Sequence, residues 1–351
     1  MSTSLDRLRI VVFGPRERVG AWVGDDVVDL NLAFAATLDQ RLGPQRLRQV
    51  ADERLPADLA GLIERGPEGV NDVRAALDHV LRHDGDARVS RFPLAAVRLR
   101  PPAVRRPRIG CAAGNYAAHT LGSAARKGVG ESRALMGLVG PEDAALPTAA
   151  ELTERTRERG IPRGFWKDFA LPCGPGDDVI YPSRGTLFDY EGEVVVVIGS
   201  RAKDVPEGRG GDHIWGVTLM NDWSIRGTSV KDSLSFNLSK NFDTGASVGP
   251  CIVVGDINPA DLLVETRVNG DLRQHYHSGD MIFSHTQFIE YLSRDFTLLP
   301  GDMISGGSGP GSATDAAKGD PPDTTLFLRI GDEVEVSSEA IGSLVNRVVA
   351  K

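Results

Sequence analysis

The chain has 351 residues, 41% apolar and 25% charged, a globular composition that excludes wholesale disorder and collagen-like or coiled-coil architectures. Forty Lys and Arg against 48 Asp and Glu leave a formal net charge of −8, which opposes nonspecific association with nucleic acid or an anionic membrane. The apolar run Val194–Ile198 falls far short of a membrane span, and Asp6, Arg7 and Arg9 exclude a secretory signal at the start. Three cysteines (Cys111, Cys173 and Cys251) without CxxC spacing point to a reducing, cytoplasmic setting.

At roughly 150 residues per domain the length suggests two domains. The first, 1–104, reads as a small α+β unit. Leu8–Phe13, Arg18–Val23 and Asp26–Leu30 form a strand meander broken at Gly14-Pro15 and Gly24-Asp25-Asp26. Val70, Val73, Leu77, Val80 and Leu81 then share one face of a helix that starts at or just before Asn71. Asp84–Pro93 is charged and turn-rich, and Pro101, Pro102 and Pro107 place a boundary near 100–107.

The second domain, 105–351, is richer in strands. Arg108–Ala113 is a strand leading into Gly114-Asn115-Tyr116. The polar stretch 121–163 is a surface excursion, insertion or active-site lid, with a solvated helix over Glu151–Arg159. Strands follow at Glu191–Ile198, Ile214–Asn221, Cys251–Val254, Leu263–Val268 and Leu326–Arg329, with a helix over Gln287–Leu292. Few helices between strands and no internal repeat argue for an α+β, mostly β fold and against a doubly wound one.

The segment Asp189-Tyr190-Glu191-Gly192-Glu193 runs into Val194–Ile198. Alternation along a strand puts Glu191 and Glu193 on one face, where paired carboxylates repel and burial is costly. A divalent cation resolves both problems, and an all-oxygen set favours Mg²⁺, Mn²⁺ or Ca²⁺ over zinc. The alternative is a solvated strand end. Asp222, at the end of the apolar strand Trp215–Met220, is a third candidate ligand or else a turn residue.

These segments, together with Asn221-Asp222-Trp223-Ser224-Ile225-Arg226, Lys240-Asn241-Phe242-Asp243, Gly249-Pro250, Val268-Asn269-Gly270, Pro300-Gly301-Asp302-Met303-Ile304 and Ile341–Asn346, resemble the fumarylacetoacetate hydrolase superfamily. The resemblance covers roughly residues 105–351, and Arg18-Val19-Gly20 and Val27–Leu30 resemble the small N-terminal domain of many members. It implies a mixed β-sandwich roll for the C-terminal domain, a homodimer, and one Mg²⁺ or Mn²⁺ (with Ca²⁺ able to substitute) on Glu191, Glu193 and Asp222. It further implies a small 2-oxo or dicarbonyl acid as substrate.

The same resemblance makes His119, in Arg108–His119, the general base, with Tyr116 beside it in the pocket. Lys167, in Phe165-Trp166-Lys167, contacts the substrate carboxylate. Arg226 matches a pocket arginine and Lys240 a lysine near the metal site, and Gly307 and Ser308 belong to a loop able to bind an oxyanion. Three positions depart from the common pattern. Gly122 stands where many members place a Glu that orients the histidine, so either another carboxylate such as Glu131, Glu142 or Glu151 serves, or His119 is a weaker base, or the reaction needs no activated water. Ser229 replaces a glutamine, and Ser308 stands in a Gly-Thr-Pro position.

The implied activity is metal-dependent hydrolysis of a C–C bond in an acylpyruvate-like or other 1,3-dicarbonyl acid. The alternatives are decarboxylation, tautomerisation or hydration of a 2-oxo acid, and a catalytically weak binding protein on the same fold. No nucleotide-binding glycine motif and no nucleophile elbow is present, and His275 and His277 read as an exposed hairpin face.

Overall fold

Three short strands separated by glycine turns open the chain: β1 (Arg7–Phe13), β2 (Arg18–Val23) and β3 (Asp26–Asp29). The computed structural model describes residues 5–83, 90–125, 145–168, 171–184, 187–227, 234–317 and 323–351. Asp29 ends β3 and caps α1 (Leu30–Thr37), accepting the Leu32 N–H. Three helices come next: α2 (Pro44–Arg54), α3 (Leu59–Glu64) and α4 (Gly66–Arg82). Helix α4 buries Val70, Val73, Leu77 and Val80, while Leu81 is exposed. Part of the stretch read as turn-rich is a strand, β4 (Arg91–Pro93), because Phe92 pairs with Val27 of β3. Residues 84–89 lie outside the described residues.

The meander does not stand apart from the rest of the chain. Strand β1 pairs antiparallel with a later strand, Leu8 opposite Val254 and Ile10 opposite Ile252, and with the short β5 (Leu99–Arg100). The remaining strands are β6 (Ile109–Ala112), β7 (Gly164–Lys167), β8 (Asp178–Ile180), β9 (Leu187–Asp189), β10 (Gly192–Ile198), β11 (Ile214–Asp222), β12 (Ser224–Arg226), β13 (Ala246–Gly255), β14 (Leu263–Val268), β15 (Asp271–His277), β16 (Met303–Ser308), β17 (Glu333–Ser338) and β18 (Gly342–Val349). The large sheet runs β4-β3-β2-β1-β13-β11-β10-β16-β6-β7, a smaller one runs β15-β14-β17-β18-β8, and β12 pairs with β9.

The Val-rich run explains the centre. Val195 and Val197 enter one core, and Val194, Val196 and Ile198 enter another on the opposite face. Both faces of β10 are covered, so the strand reads as a continuous apolar run. The helices beside the sheets are α5 (Ala117–Ala125), α6 (Ala149–Arg159), α7 (Phe236–Lys240), α8 (His285–Ser293) and α9 (Ala313–Ala316). Helix α6 has a capping box between Thr148 and Glu151 and ends at a left-handed Gly160, as its solvated pattern suggests. Residues 126–144 of the 121–163 stretch lie outside the described residues.

Leu326–Arg329, expected as a strand, is not one. Phe327 and Leu328 are buried in a third cluster, and the Leu328 N–H donates to the Phe188 carbonyl at 2.8 Å. The segment's apolarity therefore reports burial without a ladder. No helix among the described residues is long and apolar enough to cross a membrane.

Candidate functional site

The β10–β11 ladder places the carboxylates. Gly192 faces Asn221 and Glu193 faces Met220, and one step further the Asp222 N–H donates to the Glu191 carbonyl at 2.8 Å. On the other side of β10, Glu193 faces Ser308 of β16, and Ser305 of β16 faces Cys111 of β6. Ligand atoms of Cys111, Glu193 and Asp222 all lie within 4.8 Å of one another, and all three residues are buried. Between the two glutamates, a Cβ on Gly192 would stand 2.3 Å from Thr266 Oγ1, so the second sheet packs here only against glycine. Gln274 fastens that contact. Its Oε1 accepts the Gly192 N–H at 2.9 Å and its Nε2 donates to Ser308 Oγ at 2.8 Å.

Three cations meet these carboxylates. Lys240 Nζ, at the end of α7, donates to Asp222 Oδ2 at 2.8 Å and also to Glu191. Lys167 Nζ donates to Asp222 Oδ1 and to the Lys240 carbonyl, each at 2.5 Å. Arg226 Nε donates to Asp189 Oδ2 at 3.1 Å, and its Nη2 reaches Glu191. Burial raises the Glu191 carboxyl, but Lys240, Arg226 and His119 outweigh it and hold the group well below the usual carboxylate range.

Glu193 differs. It accepts the Ser305 hydroxyl and forms no ion pair among the described residues. Burial, then the charges of Asp222 and Glu191, push its carboxyl well above the ordinary 4.5. A buried carboxylate between two others, without a cation of its own, is a donor set that fits a hard divalent ion.

His119 projects from α5. Its Nδ1 lies 2.8 Å from Asp315 Oδ2, and its Nε2 is 3.8 Å from Glu191 Oε1. Asp315 is itself fixed: Oδ1 accepts the Ser123 hydroxyl at 2.7 Å and Oδ2 accepts the Gly311 N–H at 3.0 Å. Its helix, α9, is tied down by Asp189, which accepts the Ala313 and Thr314 N–H groups at 2.8 and 3.2 Å. Burial lowers the His119 pKa most, yet the Asp315 charge and hydrogen bond, with Glu191, raise it above the ordinary 6.5 overall.

The partner of His119 is thus Asp315. Glu151 is exposed and spends its carboxylate on the Thr148 cap, and Glu131 and Glu142 lie outside the described residues. Gly122 leaves the room: a Cβ there would stand 2.9 Å from Asp315 Cβ. Nothing in sequence spacing signals this pairing, since 196 positions separate the two residues. Cys111, Gln274 and Ser305 carry no assignable role in the sequence either, because each reaches the site through strand register, and Asp189, although it opens the glutamate segment, meets Arg226 and α9 only in the fold.

One pocket is lined by His119, Glu191, Glu193, Asp222, Arg226, Lys240 and Ser308. Lys167, expected to touch a substrate carboxylate, is fully buried behind Asp222 and is not among the lining residues. Tyr116 also lies off the pocket wall. Its hydroxyl donates to the Ser278 carbonyl at 3.2 Å, and its ring meets Tyr276 edge-on at 5.1 Å. The Gly307 N–H donates to Ser305 Oγ at 3.0 Å and is spent. Ser229 lies outside the described residues. His275 and His277 are exposed on β15.

A mitochondrial oxaloacetate tautomerase of Bos taurus is 28% identical over 339 residues, 96% of this chain and 88% of that protein. Among solved structures, the fumarylacetoacetate hydrolase from Exiguobacterium antarcticum superposes with a TM-score of 0.66 at 25% identity, covering 98% of this chain and 100% of that one. The maleylpyruvate hydrolase from Sphingobium sp. SYK-6, in complex with a manganese(II) ion and pyruvate, shares the fold with a TM-score of 0.64 at 22% identity, over 97% of this chain and 99% of that one. The fumarylacetoacetate hydrolase C-terminal domain matches residues 110–349, and the chain belongs to that family.

Proposed function

We propose that the protein is a divalent-cation-dependent hydrolase of a C–C bond in acylpyruvate-like 1,3-dicarbonyl acids. The observation that carries this reading is the His119–Asp315 pair, set in the same pocket as the three carboxylates with the imidazole Nε2 turned toward Glu191. Glu191, Glu193 and Asp222 would hold the ion, Mg²⁺ or Mn²⁺ by the hardness of the donors. When bound, it supplies Lewis-acid stabilisation of the negative charge that develops on the substrate oxygens.

The chain's own residues do the proton work. Asp315 accepts Nδ1–H and fixes the tautomer, which leaves the Nε2 lone pair free to take a proton from water. The resulting hydroxide adds to the carbonyl carbon distal to the 2-oxo acid. The C–C bond to the methylene then breaks, and its electron pair passes into the pyruvate enolate. His119 returns the proton to that carbon, giving pyruvate and a carboxylic acid. Lys240 and Arg226 orient Glu191, and Lys167 and Lys240 orient Asp222, which would fix the carboxylates that hold the ion.

A second reading is favoured by the long match to an oxaloacetate tautomerase. The same base would then move a proton between carbon and oxygen without using water. Acylpyruvates and oxaloacetate are incubated with Mg²⁺, with Mn²⁺ and with chelator, and the products are resolved by mass. Cation-dependent formation of two carbon fragments supports hydrolysis. An unchanged carbon count supports the tautomerase, CO₂ release supports a decarboxylase, and silence with the ion bound supports a binding protein.

A further inference from the structure

Every cation of the catalytic pocket is committed to a carboxylate of the protein. Lys240 serves Glu191 and Asp222, Arg226 serves Asp189 and Glu191, and Lys167 behind them serves Asp222. A substrate with a second anionic end therefore finds no spare positive side chain among them.

A second cavity shares a wall with this pocket: Ala113, Gly114, Asn115 and Thr120 line both. Its further lining comes from α6 and the segment after it: Leu152, Thr156, Arg159, Ile161 and Arg163, with Phe283. The uncharged polar side chains there are already used. Asn115 Nδ2 donates to the Phe283 and Gly306 carbonyls, each at 2.9 Å, and its Oδ1 accepts the Phe283 N–H at 2.9 Å. The Thr120 and Thr156 hydroxyls donate to the Tyr116 and Leu152 carbonyls at 3.0 and 2.7 Å. Leu152 and Phe283 are buried. The groups left to meet a ligand are Arg159 and Arg163, whose side chains are exposed and make no ion pair or hydrogen bond among the described residues.

We propose that Arg159 and Arg163 form an anion subsite beside the catalytic pocket that receives the distal carboxylate of a dianionic oxo acid. The guanidinium fork matches a carboxylate in two parallel hydrogen bonds. The apolar floor suits the short carbon chain between the dioxo unit and that carboxylate. This rests on the reading of the catalytic pocket as an oxo-acid site and narrows its substrate to the dianionic members.

The test compares maleylpyruvate, a dianion, with acetylpyruvate, a monoanion carrying the same dioxo unit. The readout is the ratio of their kcat/KM values in the wild type, in Arg159→Gln and Arg163→Gln singly and together, and in the double Lys variant. The ratio is expected to fall by roughly tenfold or more in the double Gln variant, through KM for maleylpyruvate, and to be partly rescued by Lys. An unchanged ratio in variants that still turn over acetylpyruvate overturns the subsite alone. Absence of turnover of either compound by the cation-loaded wild type overturns the underlying reading and the subsite with it.

Discussion

The Asp315 carboxylate sits 2.8 Å from His119 Nδ1, and the α carbon of Gly122 is all that stands on α5 where a side chain would collide with it. A carboxylate supplied from a distant helix thus occupies the place beside the imidazole. The His119 imidazole has a carboxylate partner despite the missing local glutamate.

Asp315→Asn keeps the shape and removes the charge that raises the His119 pKa. The base acts when neutral, so activity climbs with pH through a value above the ordinary 6.5 in the wild type. Without the Asp315 charge that limb moves to lower pH. The maximal rate is expected to fall by about 10² or more, within the range of general acid–base contributions. A pH–rate profile of kcat/KM for both proteins checks this, and an unmoved acid limb would contradict it.

Gly122→Glu alone is expected to lower activity and stability, because its Cβ meets Asp315 Cβ at 2.9 Å. Combining it with Asp315→Gly moves the carboxylate from one helix to the other and removes the Cβ contact, leaving the backbone Cα at 3.2 Å. Activity of the double variant should exceed that of either single one. Steady-state rates and melting temperatures of the three variants decide it.

Glu193→Gln should abolish cation binding, because it removes the one buried glutamate of the set that has no cation of the protein. Wild-type protein gains about 2.7 kcal/mol at an ion concentration 100-fold above Kd. Calorimetry and melting with and without ion should show that gain in the wild type and none in the variant. His119→Ala should lose turnover and keep the ion. Retained turnover would mean that another residue is the base.

Lys167→Met tests whether that lysine serves Asp222 or the substrate. Its ammonium is fully buried against Asp222 and the Lys240 carbonyl. Removing one partner of a buried pair costs on the order of 3–5 kcal/mol. A large fall in melting temperature and in ion affinity is expected. A selective rise in KM with stability unchanged would instead place the lysine on the substrate.

The buried carboxylates and the mostly β fold were readable because they rest on local rules. Alternation puts Glu191 and Glu193 two residues apart on one face, and an apolar strand announces Asp222 at its end. The features missed depend on register between distant strands. Cys111 reaches Glu193 through β6, β16 and β10 lying side by side, and Asp315 reaches His119 from α9, which Asp189 ties down. The ion pair of Lys167 with Asp222 is likewise absent from its local motif, because β7 and β11 bring the two residues together across the fold. Leu326–Arg329 shows the converse error, an apolar run that is buried without pairing as a strand.

Hydrolysis with His119 as its base is tested most directly by turnover of an acylpyruvate in ¹⁸O-labelled water, with Mg²⁺ or Mn²⁺ present and then chelated. The expected result is cation-dependent release of pyruvate and of a carboxylic acid with one ¹⁸O from solvent in its carboxylate, lost in His119→Ala. A product with the substrate's full carbon count, formed at the same rate in His119→Ala, would contradict it.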